Sequence, residues 1–443
     1  MELRRHNVEV NDADPFANDW LERKGFAIQL TNIVENNKQG EVVIGLSGQW
    51  GEGKTTFVKM WQKHMENKDI ASIYFDAFEY DYLEDVFLSL AIEIYNYAKV
   101  NGLTAQEDYL NKSKNTYHLL QAMIAKTSPI NIDSSLQENL IGNESQPFDI
   151  AKIIKDNLNF SLDNAFEQAL KQKEVFRDFR KSLSQLATQA SNQDIPLVII
   201  IDELDRCKPS FAVEILEKIK HLFLVEDVIF VLSMHHEQLE ESIKKVYGQN
   251  INAHTYLQKF IDYQTRLPKN KFLLDAIRDK YFYNQVKFLN FPTYNHSSEV
   301  FELFALLSNF CELSYRQTNK ALQILKVFLN SEDRNFGRNY QKVNLVVFLS
   351  VVMVSNDPLV QLIRNGKTSF ENVRDHFTEV FTKNNGRVEE LEVYLRLSFQ
   401  KFDYFLNTQD STELSFYNVF AESIRRESVL QDLLARLESF ESY

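Results

Sequence analysis

The stretch Val42-Val43-Ile44-Gly45-Leu46-Ser47-Gly48-Gln49-Trp50-Gly51-Glu52-Gly53-Lys54-Thr55 decides the fold. Its first six residues are an apolar run that reads as a buried strand. Residues 48–55 fit the glycine-rich pattern G-x-x-x-x-G-K-[ST]. Thr56-Phe57-Val58-Lys59-Met60-Trp61 then opens an amphipathic helix with Phe57 and Trp61 on one face. Strand, loop and helix N-terminus together make an anion site. Glycines let backbone N–H groups turn inward, and the helix dipole places about half a positive charge at its start. Gly48, Gln49, Trp50, Gly51, Glu52, Gly53, Lys54, Thr55 and Thr56 are therefore the expected residues around the phosphates of ATP. Lys54 is expected to reach the β- and γ-phosphates and Thr55 to ligate Mg²⁺. The bland alternative is a glycine-rich turn that only looks like a phosphate loop; the strand before it and the helix after it argue against that.

Hydrolysis needs a metal-holding carboxylate and a group that activates water. Pro196-Leu-Val-Ile-Ile-Ile201 is a continuous apolar strand that delivers Asp202 and Glu203 to its carboxyl edge, where open α/β sheets bind ligands. Asp202 is expected to hold Mg²⁺ and Glu203 to orient or deprotonate the attacking water, with Lys54 completing the catalytic set. Ala71–Asp76 reads as a second strand, placed between the loop strand and the acidic strand. Val228–Leu232 reads as another strand, and Asp262–Leu267 as the last, stopped by Pro268. That arrangement belongs to the P-loop ATPases with an added central strand and a catalytic glutamate.

The whole chain bounds these readings. At 443 residues it exceeds one ordinary core and suggests about two to four domains. Scarce glycine (12) and proline (8) point to a chain dominated by helices. A net charge of −13 argues against broad coating of nucleic acid or anionic lipid and leaves room only for a local basic groove. Two cysteines, Cys207 and Cys311, make no disulfide framework and suit a reducing cytoplasm. The N-terminal residues lack the apolar core of a signal peptide. The longest apolar run, Leu345–Val354, is too short for a span of about 20 residues and reads as a buried helix.

The expected organisation is an α/β P-loop core over 1–97 and 191–270, a helical insertion at 98–190, and a helical lid and C-terminal helical domain at 271–443. The N-terminal segment 16–38 reads as a helix whose apolar stripe includes Trp20, Leu21, Phe26, Ala27, Leu30 and Ile33. Within the insertion, Lys114, Gln121, Asn131, Ser134 and Asn143 fall in poorly patterned stretches, a mobile loop is expected near 127–148, and helical periodicity returns over 150–188.

The motifs resemble those of KAP-family NTPases. Gly48-Gln-Trp-Gly-Glu-Gly-Lys-Thr55 carries a Trp in the loop, and Ile201-Asp-Glu-Leu-Asp-Arg-Cys-Lys-Pro209 is followed by Glu214-Ile-Leu-Glu-Lys-Ile-Lys220. Phe75–Tyr80, Asp19–Arg23, Tyr256–Lys259 and Ser314–Arg316 resemble further landmarks of that family. The resemblance covers about residues 12–330. It implies a STAND-related signalling or assembly ATPase of the soluble bacterial type, working in exclusion of phage with a protein effector. Several members carry membrane helices within the NTPase domain; this chain has a polar helical insertion instead. Where the family has an Asp-Arg pair after the sensor strand, this chain has Ser233-Met-His-His236, a departure that weakens transfer of function there.

Other residues admit two readings each. Arg206 is a candidate for reaching a neighbouring subunit's γ-phosphate or for pairing with Asp205, and Asp205 a candidate helix cap. Arg316, at the start of an amphipathic helix, is a candidate γ-phosphate sensor, and Arg266 on the last strand a weaker one. Ser233 is a candidate for hydrogen bonding the γ-phosphate or the attacking water, or a simple strand-end hydroxyl. Cys207 reads as a packing residue. His235-His236 is read as no metal site, since adjacent strand residues point apart and no acidic ligand lies at a supporting spacing. Basic residues at Arg334, Arg338, Lys342 and Arg425-Arg426 read as solvated surface.

The functional expectation is a cytoplasmic ATP-hydrolysing switch that forms homo-oligomers on binding ATP. The alternatives are a nucleotide-dependent protein-binding scaffold with little turnover and a DNA-stimulated ATPase.

Overall fold

The computed structural model describes residues 8–37, 40–83, 85–127, 162–191, 195–268, 274–289, 297–331, 340–355, 357–382 and 386–439. Five parallel strands form one sheet: β1 (Val42–Ser47), β2 (Ser72–Asp76), β3 (Leu197–Asp202), β4 (Val228–Met234) and β5 (Tyr263–Arg266). Their order is β2-β3-β4-β1-β5. The strand between the loop strand β1 and the acidic strand β3 is thus β4 and not the 71–76 strand, which lies at the edge beyond β3. The reason is legible in burial. All seven residues of β4 are buried, as a strand needs when it has neighbours on both sides and helices on both faces. In β2, Tyr74 and Asp76 are only partly buried.

Alternation along the strands splits the core in two. Ile44, Leu46, Val198, Ile200, Ile229 and Val231 face one cluster. It is completed by Ala27, Leu30 and Val34 of α1 (Lys24–Asn36) and by Phe57, Val58, Trp61 and Met65 of α2 (Lys54–Glu66). The α1 stripe therefore runs through Ala27, Leu30, Thr31 and Val34; Ile33 is exposed, and the helix is shorter than the expected 16–38. A buried hydrogen bond ties the two helices, Trp61 Nε1 donating to Thr31 Oγ1 at 3.0 Å.

The opposite face holds Ile73, Phe75, Leu197, Ile199, Ile201, Val228, Phe230 and Leu232. Against it pack α3 (Val86–Val100), α4 (Gln106–Thr127), α5 (Leu162–Ala190) and α6 (Pro209–Lys218), which continues as a π turn over Ile219–Phe223. Residues 106–127, unpatterned to the eye, are in fact a helix. Its sequence is mostly polar, but Tyr109 is fully buried and meets Phe179 of α5 at 5.8 Å between ring centroids. The loop expected at 127–148 lies outside the described residues except for Thr127. Beyond β4 come α7 (His236–Tyr247) and the short α8 (Ala253–Leu257).

The chain divides into two compact units, 1–19, 23–49 and 54–268 in one, 20–22, 50–53 and 269–443 in the other. The second is helical among its described residues. It includes α9 (Leu274–Leu289), α10 (Ser297–Phe310), α11 (Tyr315–Ser331), α12 (Tyr340–Val354), α13 (Gly386–Ser398), α14 (Ser411–Arg425) and α15 (Val429–Glu438). Its core centres on α12, whose Leu345 to Val352 stretch is buried throughout. No helix among the described residues is long and apolar enough to cross a membrane.

Candidate functional site

The 48–53 loop leaves β1 at the carboxyl edge of the sheet and enters α2 at Lys54. Gly51 and Gly53 hold φ of +82° and +81°, the left-handed region that glycine enters without cost. Gly48 N donates to the Met234 carbonyl at 3.2 Å, which fixes the loop's start to the end of β4. Lys54 is nearly buried, and its Nζ donates to the carbonyls of Gly48 at 2.7 Å and Gln49 at 3.3 Å. The ammonium is thereby curled over the loop, where a phosphate would sit. Glu52 is buried, Thr55 and Thr56 are half-buried, and Trp50 is 47% exposed.

Gly51 belongs with the second unit. Its carbonyl accepts from Arg316 N at 3.3 Å, and a Cβ on Gly51 would come within 2.8 Å of Arg316 Cβ. The start of α11 that carries Arg316 is set by a capping box: Gln317 N donates to Ser314 Oγ at 3.3 Å, and Ser314 N donates to Gln317 Oε1 at 2.9 Å.

Asp202 ends β3 and is fully buried. Tyr74, paired with β3 from the neighbouring β2, donates its hydroxyl to Asp202 Oδ2 at 3.2 Å. Asp202 Oδ1 is buried with no hydrogen-bond donor beside it among the described residues. A polar oxygen left without a partner in the interior is costly, and a cation beside it removes that cost. The residues therefore fit Mg²⁺, which would be held by Asp202 and the Thr55 hydroxyl. Burial, then the Asp202 charge, pushes the Tyr74 phenol upward, so it stays a donor.

Glu203, the next residue, stands at φ +59°, a left-handed conformation unusual for a side chain with a Cβ. The turn brings its carboxylate to the start of α2: Thr55 Oγ1 donates to Glu203 Oε1 at 3.1 Å. Arg206 Nη1 pairs with Glu203 Oε2 at 2.7 Å. Burial raises the Glu203 carboxyl above the usual carboxylate range, against the lowering effect of Arg206; Asp202 adds to the rise.

Arg206 thus pairs with Glu203. Asp205 is buried, and its Oδ1 accepts from His235 N at 2.8 Å. It fixes the exit of β4, and the helix after it, α6, has Lys208 and not Asp205 at its cap. Ser233, near the end of β4, is fully buried, and its Oγ has no hydrogen-bond partner among the described residues. Arg266 is exposed at the end of the edge strand β5. Cys207 is buried, its Sγ 3.7 Å from the Glu203 carbonyl and its thiol pushed up by burial, as befits a packing residue.

Tyr74 was not singled out in the sequence. The signal was there, an aromatic hydroxyl in the strand that would flank the acidic one, but it required knowing that β2 pairs with β3. The remark that no acid accompanies the histidines also fails: Glu240 stands one helical turn after His236, and His254 joins them. Arg334 and Arg338 lie outside the described residues. Arg425 stacks over Phe402, Arg426 pairs with Glu422 and Lys342 lies over Phe420.

A phosphate loop, an acidic strand end and one strand between them define a P-loop NTPase of the added-strand division. The sequence pattern described as "KAP family P-loop domain" matches residues 23–331. The chain belongs to that family. No curated protein matches it in sequence. Solved structures similar to the chain include the Aeropyrum pernix ORC2 protein in its ADPNP-ADP complexes, 12% identical, with a TM-score of 0.38 over 99% of this chain and 97% of that one. The ADP form of the same protein is 11% identical with a TM-score of 0.39, covering 99% and 96%. The replication initiator DnaA bound to AMPPCP and single-stranded DNA is 11% identical with a TM-score of 0.30, covering 88% and 98%. Likeness at this level carries no argument about residues or partners.

Proposed function

We propose that this KAP-family chain is a Mg²⁺-dependent ATPase that works as a regulatory switch. The observation that carries the reading is the meeting of both halves of the site at one sheet edge. The Glu203 carboxylate lies 3.1 Å from the Thr55 hydroxyl, and one residue earlier Asp202 keeps a bare buried oxygen. The loop N–H groups and Lys54 bind the triphosphate, and Lys54 leaves its two carbonyl partners to do so. Mg²⁺, when bound, spreads the charge of the β- and γ-phosphate oxygens. Glu203 orients and deprotonates the attacking water, and Thr55, which now donates to it, would be the hydroxyl that holds the metal. Arg206 holds Glu203; as a finger toward a neighbouring subunit it must first let go of it. Arg316, whose backbone touches Gly51, carries the state of the loop into α11.

We further propose that this switch serves anti-phage defence, with a separate protein as effector and a homo-oligomer as its ATP-bound form; the motifs shared with the family support that reading. One observation favours a second reading. With Glu203 held by both Thr55 and Arg206, the isolated chain has a resting arrangement suited to a binding scaffold with little turnover. The mass of the particle with and without ATP, in the Glu203→Gln background, tests the switch. An ATP-dependent rise in mass that Lys54→Ala abolishes supports it, and an unchanged mass contradicts the oligomer.

A further inference from the structure

Among the described residues, a set of three metal-type ligands outside the nucleotide site lies where α7 begins. His236 and Glu240 are one helical turn apart on α7, so both point from the same face. His254, on the short α8, meets them. His236 Nε2 is 3.0 Å from Glu240 Oε1, His254 Nδ1 is 3.1 Å from the same oxygen, and the two nitrogens are 3.4 Å apart. The three atoms make a nearly equilateral triangle. That is the face of a tetrahedron around a zinc-sized ion: ligand bonds of about 2.0–2.2 Å place neighbouring donors about 3.3 Å from one another. We infer that His236, Glu240 and His254 form a binding site for a divalent transition metal of the zinc class.

The donor set, two imidazole nitrogens and one carboxylate oxygen, suits borderline ions such as Zn²⁺ and is ill suited to Mg²⁺, which prefers oxygen ligands and retains its waters. The surroundings supply the outer support that a ligating imidazole requires. The Gln264 side-chain amide, on β5, lies 3.0 Å from His236 Nδ1. The atom facing the ring is the amide nitrogen Nε2; on metal binding the amide turns over, so that its oxygen accepts the Nδ1 proton and the Nε2 lone pair of His236 is left for the ion. The His236 side chain is 11% exposed and Glu240 21%, while His254 is 60% exposed and opens the site to solvent. Three protein ligands leave one position for water. The ion would clip α8 to the first turn of α7, and so fix the segment by which the chain leaves β4, three residues beyond Ser233. The site belongs wholly to the first unit and does not depend on the nucleotide reading.

The test uses the full chain, stripped of metal and free of nucleotide. Zn²⁺ is titrated in competition with a chromophoric chelator in the presence of excess Mg²⁺, and Co²⁺ loading is read by visible absorption. The inference expects one equivalent of Zn²⁺ on the wild type that Mg²⁺ does not displace. It also expects an intense Co²⁺ spectrum of a four- or five-coordinate ion. His254→Ala, at an exposed position, and Glu240→Gln, which keeps side-chain size, should each weaken that equivalent by at least tenfold. Each should also erase the rise in thermal midpoint that Zn²⁺ gives the wild type. A wild type that binds no such equivalent, or binds it as tightly as both variants do, overturns the inference and leaves a hydrogen-bonded cluster only.

Discussion

The position of Glu203 concentrates the physics of the site in one residue. It spends a left-handed backbone conformation to bring its carboxylate to Thr55, and it accepts burial that favours the protonated form. The sign of the consequence is fixed. A carboxyl whose folded pKa is raised binds more protons folded than unfolded over the window between the two values, so stability falls as pH rises through that window. Glu203→Gln removes the loss. Its thermal midpoint should equal or exceed that of the wild type at pH 7, and the gap should close as the solution is acidified to about pH 4, the ordinary carboxylate range. A wild type that is the more stable at pH 7 would show that the Arg206 pair outweighs burial. Gly51 poses a steric version of the same question. At φ +82° an added Cβ is strained, and it would meet Arg316 Cβ at 2.8 Å and Ser314 Oγ at 2.9 Å. Strain of about 1–3 kcal/mol, taken wholly from binding, corresponds to about a 5- to 150-fold loss of affinity. Gly51→Ala should therefore weaken a fluorescent ATP analogue within that span; unchanged affinity would mean that the loop need not hold this conformation.

Among the elements, β4 and β5 differ most in what they bear. Leu232 of β4 is fully buried on the face that carries α3 and α6, whereas Tyr263 of the edge strand β5 is 67% exposed. Leu232→Ala should cost about 2–5 kcal/mol, measured by the denaturant midpoint, and Tyr263→Ala under about 1 kcal/mol. Near-equal costs would contradict the central position of β4. This contrast also marks how far the sequence could be read. The strands β1, β3 and β4 were legible because each is a continuous apolar run. The pairing was not, since an apolar run has no partner written in it; the wholly apolar run Val228–Leu232, set against a β2 that carries Tyr74 and Asp76, was a hint of which strand is central. The loop at 48–53 and the Asp202–Glu203 pair were legible because their chemistry is local. Tyr74, the Arg206–Glu203 pair, and the meeting of His254 with His236 and Glu240 were not, because each depends on contacts between elements or on a turn that no periodicity signals. In α4 a polar surface hid a helix whose buried positions are few, Tyr109, Ser113 and Thr116 among them.

At the scale of the molecule, the family pattern over 23–331 takes in the sheet and the first helices of the second unit. Everything in the functional account depends on the loop and the acidic strand end acting as one site. Steady-state phosphate release from ATP with Mg²⁺ is the direct measurement, made on the wild type, Glu203→Gln and Lys54→Ala alongside equilibrium binding of an ATP analogue. The account predicts that Glu203→Gln binds the analogue as the wild type does but releases phosphate at least a hundredfold more slowly, in line with removal of a general base, and that Lys54→Ala loses binding and release together. Release from the wild type no faster than from Glu203→Gln, with the analogue bound by both, would contradict hydrolysis by this site.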